Sequence, residues 1–147
     1  MKETCSTMGF EKLLLATDGS ESAEAAIQEA INIAKACSSR LYVISVVEVN
    51  AEYGALAPQI VEKAENETRE HLASVKVRAE KEGIVCETAA HQGEEPYRFI
   101  VAEAKEKKMD MIVMGSHGRT GLRRLMMGSV TARVIGHAPC KVLVVPC

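Results

Sequence analysis

The sequence predicts an α/β domain in which a parallel sheet of five strands is covered by helices on both faces. Five short apolar runs are continuous rather than alternating in polarity, as expected of strands that are buried on both faces. Segments with the apolar spacing of helices lie between these runs, so strand and helix alternate along the chain. This order favours right-handed crossovers within one layered domain, 1–147.

The strands are predicted where the apolar runs lie. Their sequences are KLLLAT, LYVISVV, IVCETAA, MIVMG and KVLVV, at 12–17, 41–47, 84–90, 111–115 and 141–145. Each run has the length of an ordinary strand and is too short for a buried helix.

The first two helices are predicted from apolar residues at spacings of three and four. One covers 21–37, with Glu21 in its first turn, where the helix dipole favours an acid. The second covers 58–82, with Thr68 and His71 in its inward stripe, and ends at Gly83, a suitable residue just beyond a helix. Segment 48–57, EVNAEYGALA, is the least regular connection.

Two further helices are predicted in the second half of the chain. One covers 94–107, with Pro96 at its start and lysines at its end. The other begins at Ser129, which we predict to be the N-cap, and ends before Pro139.

Composition narrows the class of protein. The 147 residues have a net charge of −2 and no apolar run of the about 18 residues that a membrane span requires. The amino terminus also lacks the apolar core of a signal peptide, so we expect a cytoplasmic protein that does not bind membranes. The five cysteines form no C-x-x-C pair, and reduced thiols are expected rather than disulfides or a zinc site.

Charge is distributed unevenly along the chain. Residues 111–147 contain five basic residues and no acid, whereas residues 1–110 contain 13 bases and all 20 acids. A local positive field of this kind favours a small anion, since a nucleic acid would need a wide basic face. We therefore expect no nucleic-acid partner.

A glycine-rich segment, GSHGRTGLRRLMMG at 115–128, joins the fourth strand to the last helix. The N–H groups of Gly115, Gly118 and Gly128, with the helix start and the Ser129 hydroxyl, would form a cradle for phosphate oxygens. Glycine suits this role because a main chain without Cβ atoms can approach an anion closely. The alternative is a mobile surface loop. The spacing fits neither a P-loop nor a dinucleotide fingerprint.

These motifs resemble the universal stress protein family, in particular its ATP-binding branch. The glycine pattern is Gly115-x2-Gly118-x9-Gly128-Ser129, and the likeness extends to KLLLATDGSESA near the start and APCKVLVVP at the end. The resemblance implies a Rossmann-like, three-layer open sandwich with four helices and the strand order 3-2-1-4-5. It also implies which residues contact the nucleotide: Ala16, Thr17, Asp18, Val46, Met114, Gly115, Ser116, His117, Gly118, Arg119, Thr120, Gly121, Gly128, Ser129, Val130 and Thr131.

The resemblance implies a function as well. The ligand would be ATP or another adenine nucleotide, with Mg²⁺ or Mn²⁺ held mainly by the phosphates, and the protein would act as a nucleotide-dependent switch or sensor in stress response. A homodimer through 141–145 and an unidentified downstream protein would be its partners. The alternatives are a slow ATPase or nucleotide hydrolase, and a dimeric interaction module that has no ligand.

Individual side chains leave some roles open. Asp18 suits a ribose or a metal-bound water, but the Asp18-x-x-Glu21 spacing also suits a helix cap. His117 is expected to act through its backbone rather than as a general base. Arg119 either contacts phosphate or is solvated. No Ser/His/Asp arrangement is present, so we assign no catalytic residue.

Overall fold

Five parallel strands form one sheet in the computed structural model, which describes residues 9–117 and 128–146. The strands are β1 (Lys12–Ala16), β2 (Arg40–Glu48), β3 (Cys86–Gly93), β4 (Met111–Gly115) and β5 (Lys141–Val145). Their order is β3-β2-β1-β4-β5, which confirms the predicted 3-2-1-4-5 order. In the centre of the sheet, Leu15 of β1 pairs with Val43 of β2 and with Val113 of β4.

Five α-helices cover this sheet or connect its strands. They are α1 (Glu24–Cys37), α2 (Ala51–Leu56), α3 (Pro58–Lys81), α4 (Pro96–Glu106) and α5 (Ser129–His137). Four of them confirm the predicted helices, although the first begins with a 3-10 turn over Glu21–Ala23. Among these helices, none is both long and apolar enough to cross a membrane.

The short helix α2 was not predicted, and it lies within 48–57, the connection that the sequence indicates to be the least regular. Its first turn is closed by a hydrogen bond of 3.0 Å from the Gly54 N–H to the Asn50 carbonyl. A helix of six residues is too short to show the apolar periodicity from which the longer helices were predicted. Pro58 at the start of α3 separates the two helices.

The start of α5 differs from the prediction by one residue. Gly128 is the N-cap, with extended backbone angles of φ −60° and ψ 150°, and Ser129 is the first helical residue. The prediction that Ser129 is the N-cap was therefore wrong. At the other end of a helix, Gly83 has a φ of +78°, which confirms that it ends the helix that precedes it.

Strand β1 is buried on both faces, as its continuous apolar sequence predicted. Leu13, Leu14 and Leu15 have no exposed surface. Leu13 and Leu15 pack in the layer that contains α1 and the C-terminal half of α3. Leu14 packs in the opposite layer, with α4 and α5. The side chains of β1 therefore belong to both cores of the three-layer domain.

The cysteines that the structure describes are reduced. Cys37 and Cys86 are buried and Cys140 is partly buried. Burial raises the pKa of the Cys86 thiol to about 11, so this thiol stays neutral and weakly nucleophilic at physiological pH. Cys5 and Cys147 lie outside the described residues.

Candidate functional site

A cavity of about 420 Å³ opens at the carboxyl ends of β1, β2 and β4. After β1 the chain continues to α1 on one face of the sheet, whereas after β4 it continues to α5 on the opposite face. The crevice between two such neighbouring strands is the usual ligand position in open parallel sheets. The volume lies within the range of small-molecule sites.

Most of the predicted site residues line this cavity. Eleven of the sixteen do so, namely Ala16, Thr17, Asp18, Val46, Met114, Gly115, His117, Gly128, Ser129, Val130 and Thr131. Ser116 is described but does not line the cavity, and its N–H donates to the Val145 carbonyl at 3.1 Å. Gly118, Arg119, Thr120 and Gly121 lie outside the described residues.

The amino terminus of α5 forms one end of the cavity. Ser129, Val130 and Thr131 are the first three helical residues, whose N–H groups have no acceptor within an α-helix. These groups carry the positive end of the helix dipole. The Thr131 hydroxyl donates to the Gly115 carbonyl at 2.8 Å and so fixes this helix against the end of β4.

Gly128 does not supply the N–H group that was predicted for a phosphate. Its N–H donates to the Ser116 carbonyl at 2.8 Å, and its own carbonyl accepts the first helical bond from Ala132 at 3.0 Å. Gly128 therefore closes the chain onto β4, and the donors that remain belong to the helix itself.

Gly115 is required by close packing of the backbone. A Cβ atom at this position would lie 3.3 Å from the Ser22 carbonyl oxygen and 3.5 Å from that of His117. The first distance is tighter than most real Cβ contacts, and both neighbours are main chain. Glycine here allows the turn before α1 to approach the exit of β4.

The Asp18 carboxylate is held at the cavity wall by a local turn. Its Oδ1 atom accepts hydrogen bonds from the Ser20 N–H at 2.9 Å and from the Ser20 hydroxyl at 2.5 Å. The bonds go to Ser20 rather than to Glu21, so the capping-box spacing is not used as a capping box. Asp18 and Glu48 are the carboxylates among the described residues that line the cavity.

Helix α3 contributes a wall of the cavity that the sequence did not predict. Ile60, Val61, Ala64 and Thr68 of its N-terminal half line the cavity, whereas Leu72 and later residues pack on the sheet. The 24 residues of α3 span about 36 Å and the nine residues of β2 about 30 Å. Helix α3 is therefore longer than the strand that it covers, and its N-terminal half extends beyond the sheet. This difference in length is the signal from which the cavity wall could have been predicted.

A side-chain contact fixes α3 against the end of β1. The Thr17 hydroxyl, which is 6% exposed, lies 3.0 Å from Nε2 of His71. His71 was predicted only as part of the inward stripe of its helix. Its contact with Thr17 joins the cavity wall to the strand that begins the site.

Combining Thr17→Val with His71→Phe tests this contact. We expect a coupling of about 0.5 to 1.5 kcal/mol in the free energy of unfolding, the usual net value of one hydrogen bond. Urea unfolding of the two single variants and the double variant measures it. Pairing Thr17→Val with Val77→Ala, at an exposed position on the same helix, should give additive effects. Additive effects in the Thr17 and His71 pair would contradict the contact.

The sequence pattern of the universal stress protein family matches residues 9–146. The chain belongs to this family. A universal stress protein of Methanocaldococcus jannaschii, MJ0531, is 42% identical over 140 residues, which cover 92% of this chain and 82% of the relative. The predicted family is thus confirmed over almost the whole chain.

Solved structures of universal stress proteins share the fold. Hypothetical protein MJ0577 superposes with a TM-score of 0.77 and 29% identity, over 95% of this chain and 97% of the other. A universal stress protein in complex with cAMP gives a TM-score of 0.71 and 26% identity, with coverages of 93% and 97%. One from Archaeoglobus fulgidus in complex with dAMP gives 0.66 and 25%, with coverages of 93% and 98%.

Proposed function

We propose that this universal stress protein binds ATP, or another adenine nucleotide, in the cavity and acts as a nucleotide-dependent switch or sensor in stress response. The observation that carries the proposal is that one cavity joins an apolar slot to the start of α5. Two structural neighbours that were solved with cAMP and dAMP support an adenine nucleotide as the ligand.

The apolar end of the cavity suits a purine base. Ala16, Ile44 and Val46 come from the sheet, and Val61 and Ala64 come from the N-terminal half of α3. A planar aromatic base gains from apolar contacts on both of its faces. The slot therefore supplies shape and desolvation, while polar groups elsewhere in the cavity fix the orientation.

The opposite end suits the phosphates. The N–H groups of Ser129, Val130 and Thr131 and the Ser129 hydroxyl favour an anion at the start of α5. Segment 118–121, with Arg119, would complete this end by the family pattern. Mg²⁺ or Mn²⁺ would be held mainly by the phosphates, and Asp18 would accept hydrogen bonds from water on the metal.

Isothermal titration calorimetry with ATP and Mg²⁺ tests the proposal at a protein concentration of about 50 µM. We expect saturable binding of ATP and weaker binding of adenosine, which lacks the phosphates. Mass spectrometry of small molecules released from freshly purified protein identifies the bound nucleotide. Absence of both heat and copurified nucleotide would contradict the proposal. If the protein is a switch, we expect phosphate release from ATP to be slow or to depend on a partner. Steady turnover of ATP would indicate an ATPase.

We also propose a homodimer through β5. Strand β5 pairs with β4 and, among the described strands, with no other. Its residues Val142, Leu143, Val144 and Val145 are only partly buried. An apolar edge strand of this kind favours pairing with a second chain.

A further inference from the structure

Thr68 is a polar residue on the otherwise apolar wall that α3 gives to the cavity. It is 3% exposed and lines the cavity together with Ile60, Val61 and Ala64 of the preceding two turns. The apolar spacing predicts only that Thr68 belongs to the inward stripe of its helix. A buried hydroxyl at this position therefore needs an explanation.

No hydrogen bond joins the Thr68 hydroxyl to the described part of the chain, yet this hydroxyl is not among the fully buried polar atoms there that lack a partner. Threonine in a helix often bonds a carbonyl of the preceding turn, and this one does not. Among the described residues, the other two buried threonines are both paired: Thr17 with His71 at 3.0 Å and Thr131 with the Gly115 carbonyl at 2.8 Å. The Thr68 hydroxyl therefore retains accessible surface in the cavity, where it can form a hydrogen bond with a ligand.

The position of Thr68 indicates which part of a ligand it meets. Helix α3 packs on β2 and β3, whereas α5 begins where β4 ends, and β1 lies between them in the sheet. Thr68 therefore approaches the cavity from the side opposite to the start of α5. One turn further along α3, the contact between His71 and Thr17 holds this helix in place.

We infer that the Thr68 hydroxyl forms a hydrogen bond with the nucleoside part of the bound nucleotide, its base or its sugar, and not with the phosphates. The inference rests on the proposed function. Both a purine and a ribose carry donors and acceptors that a hydroxyl can pair with, because a hydroxyl donates one hydrogen bond and accepts two. Thr68 is then a residue that selects the nucleoside, and the phosphates are held at the other end.

Thr68→Val tests this role, since valine keeps the shape of threonine and removes the hydroxyl. Calorimetry should show adenosine, AMP and ATP all weakened by the same factor, about threefold to tenfold. Thr68→Ser keeps the hydroxyl and should bind more tightly than the valine variant. Without ligand, the valine variant should be about as stable as the wild type, because no hydrogen bond to the described residues is lost.

Several outcomes separate this inference from the proposed function. Unchanged affinities in Thr68→Val, with wild-type protein that binds ATP, would overturn the inference and leave the function intact. If only the affinity for ATP were reduced, the hydroxyl would lie at the phosphates, and the inference would also be overturned. Lower stability of the valine variant without ligand would indicate a structural partner and contradict it. Failure of the wild-type protein to bind adenosine, AMP and ATP would remove both proposals.

Discussion

Ser129→Pro is expected to weaken ATP binding by about tenfold to hundredfold and to leave adenosine binding unchanged. Proline removes the first N–H group of α5 together with the hydroxyl, and each of these is expected to bond a phosphate oxygen. A hydrogen bond to a charged group contributes about 1.5 to 3 kcal/mol, so the loss of one of the two bonds corresponds to this range of affinity and the loss of both would exceed it. Calorimetric titrations with the two ligands measure the change.

The helix itself should tolerate this proline. Proline is favoured at the first helical position, and α3 and α4 of this chain already begin with Pro58 and Pro96. Gly128 precedes the new proline with a ψ of 150°, in the extended region that a residue before proline prefers. The unfolding midpoint should therefore change little.

Ser129→Ala is the matched control, because alanine removes the hydroxyl and keeps the N–H group. It should weaken ATP binding less than proline does. If the two variants lost the same affinity for ATP, the effect would be due to the hydroxyl alone. If the proline variant lost the same affinity for adenosine as for ATP, a phosphate at the start of α5 would be contradicted.

The fold was predictable because apolar periodicity reports burial directly. The sequence LLL at 13–15 required a strand covered on both faces, and the three leucines have no exposed surface. The boundaries of regular helices followed from Pro58, Gly83 and Pro96, since each of these restricts the backbone. The strand order could not be worked out from periodicity, which carries no information on which strands are neighbours.

The site was only partly predictable because a sequence shows which groups are available and not where they point. Gly128 offered an N–H group, and the structure uses it for the Ser116 carbonyl. Thr68 and His71 belonged to the inward stripe of α3, and periodicity does not show whether an inward residue meets the sheet or a cavity beyond it. That distinction depends on the length of the helix relative to the strands.

Ala64→Phe is expected to abolish nucleotide binding, with a loss of affinity of at least about hundredfold. Ala64 lines the same cavity as Val46 and Ile44. A phenyl ring introduced there occupies the volume that the base would fill. Because the ring enters an existing cavity, it should preserve or increase the free energy of unfolding rather than strain a packed core.

The matched control is Ala73→Phe, which places the same ring on the exposed face of the same helix. It should leave the affinities for adenosine and ATP at their wild-type values. Adenosine and ATP should both be lost in Ala64→Phe, in contrast to Ser129→Pro, because the base contributes to the binding of both. Undiminished ATP binding in a folded Ala64→Phe protein would mean that the base lies outside this slot. Together the two variants assign base and phosphates to opposite ends of one cavity, since one removes binding of the nucleoside and the other only the contribution of the phosphates.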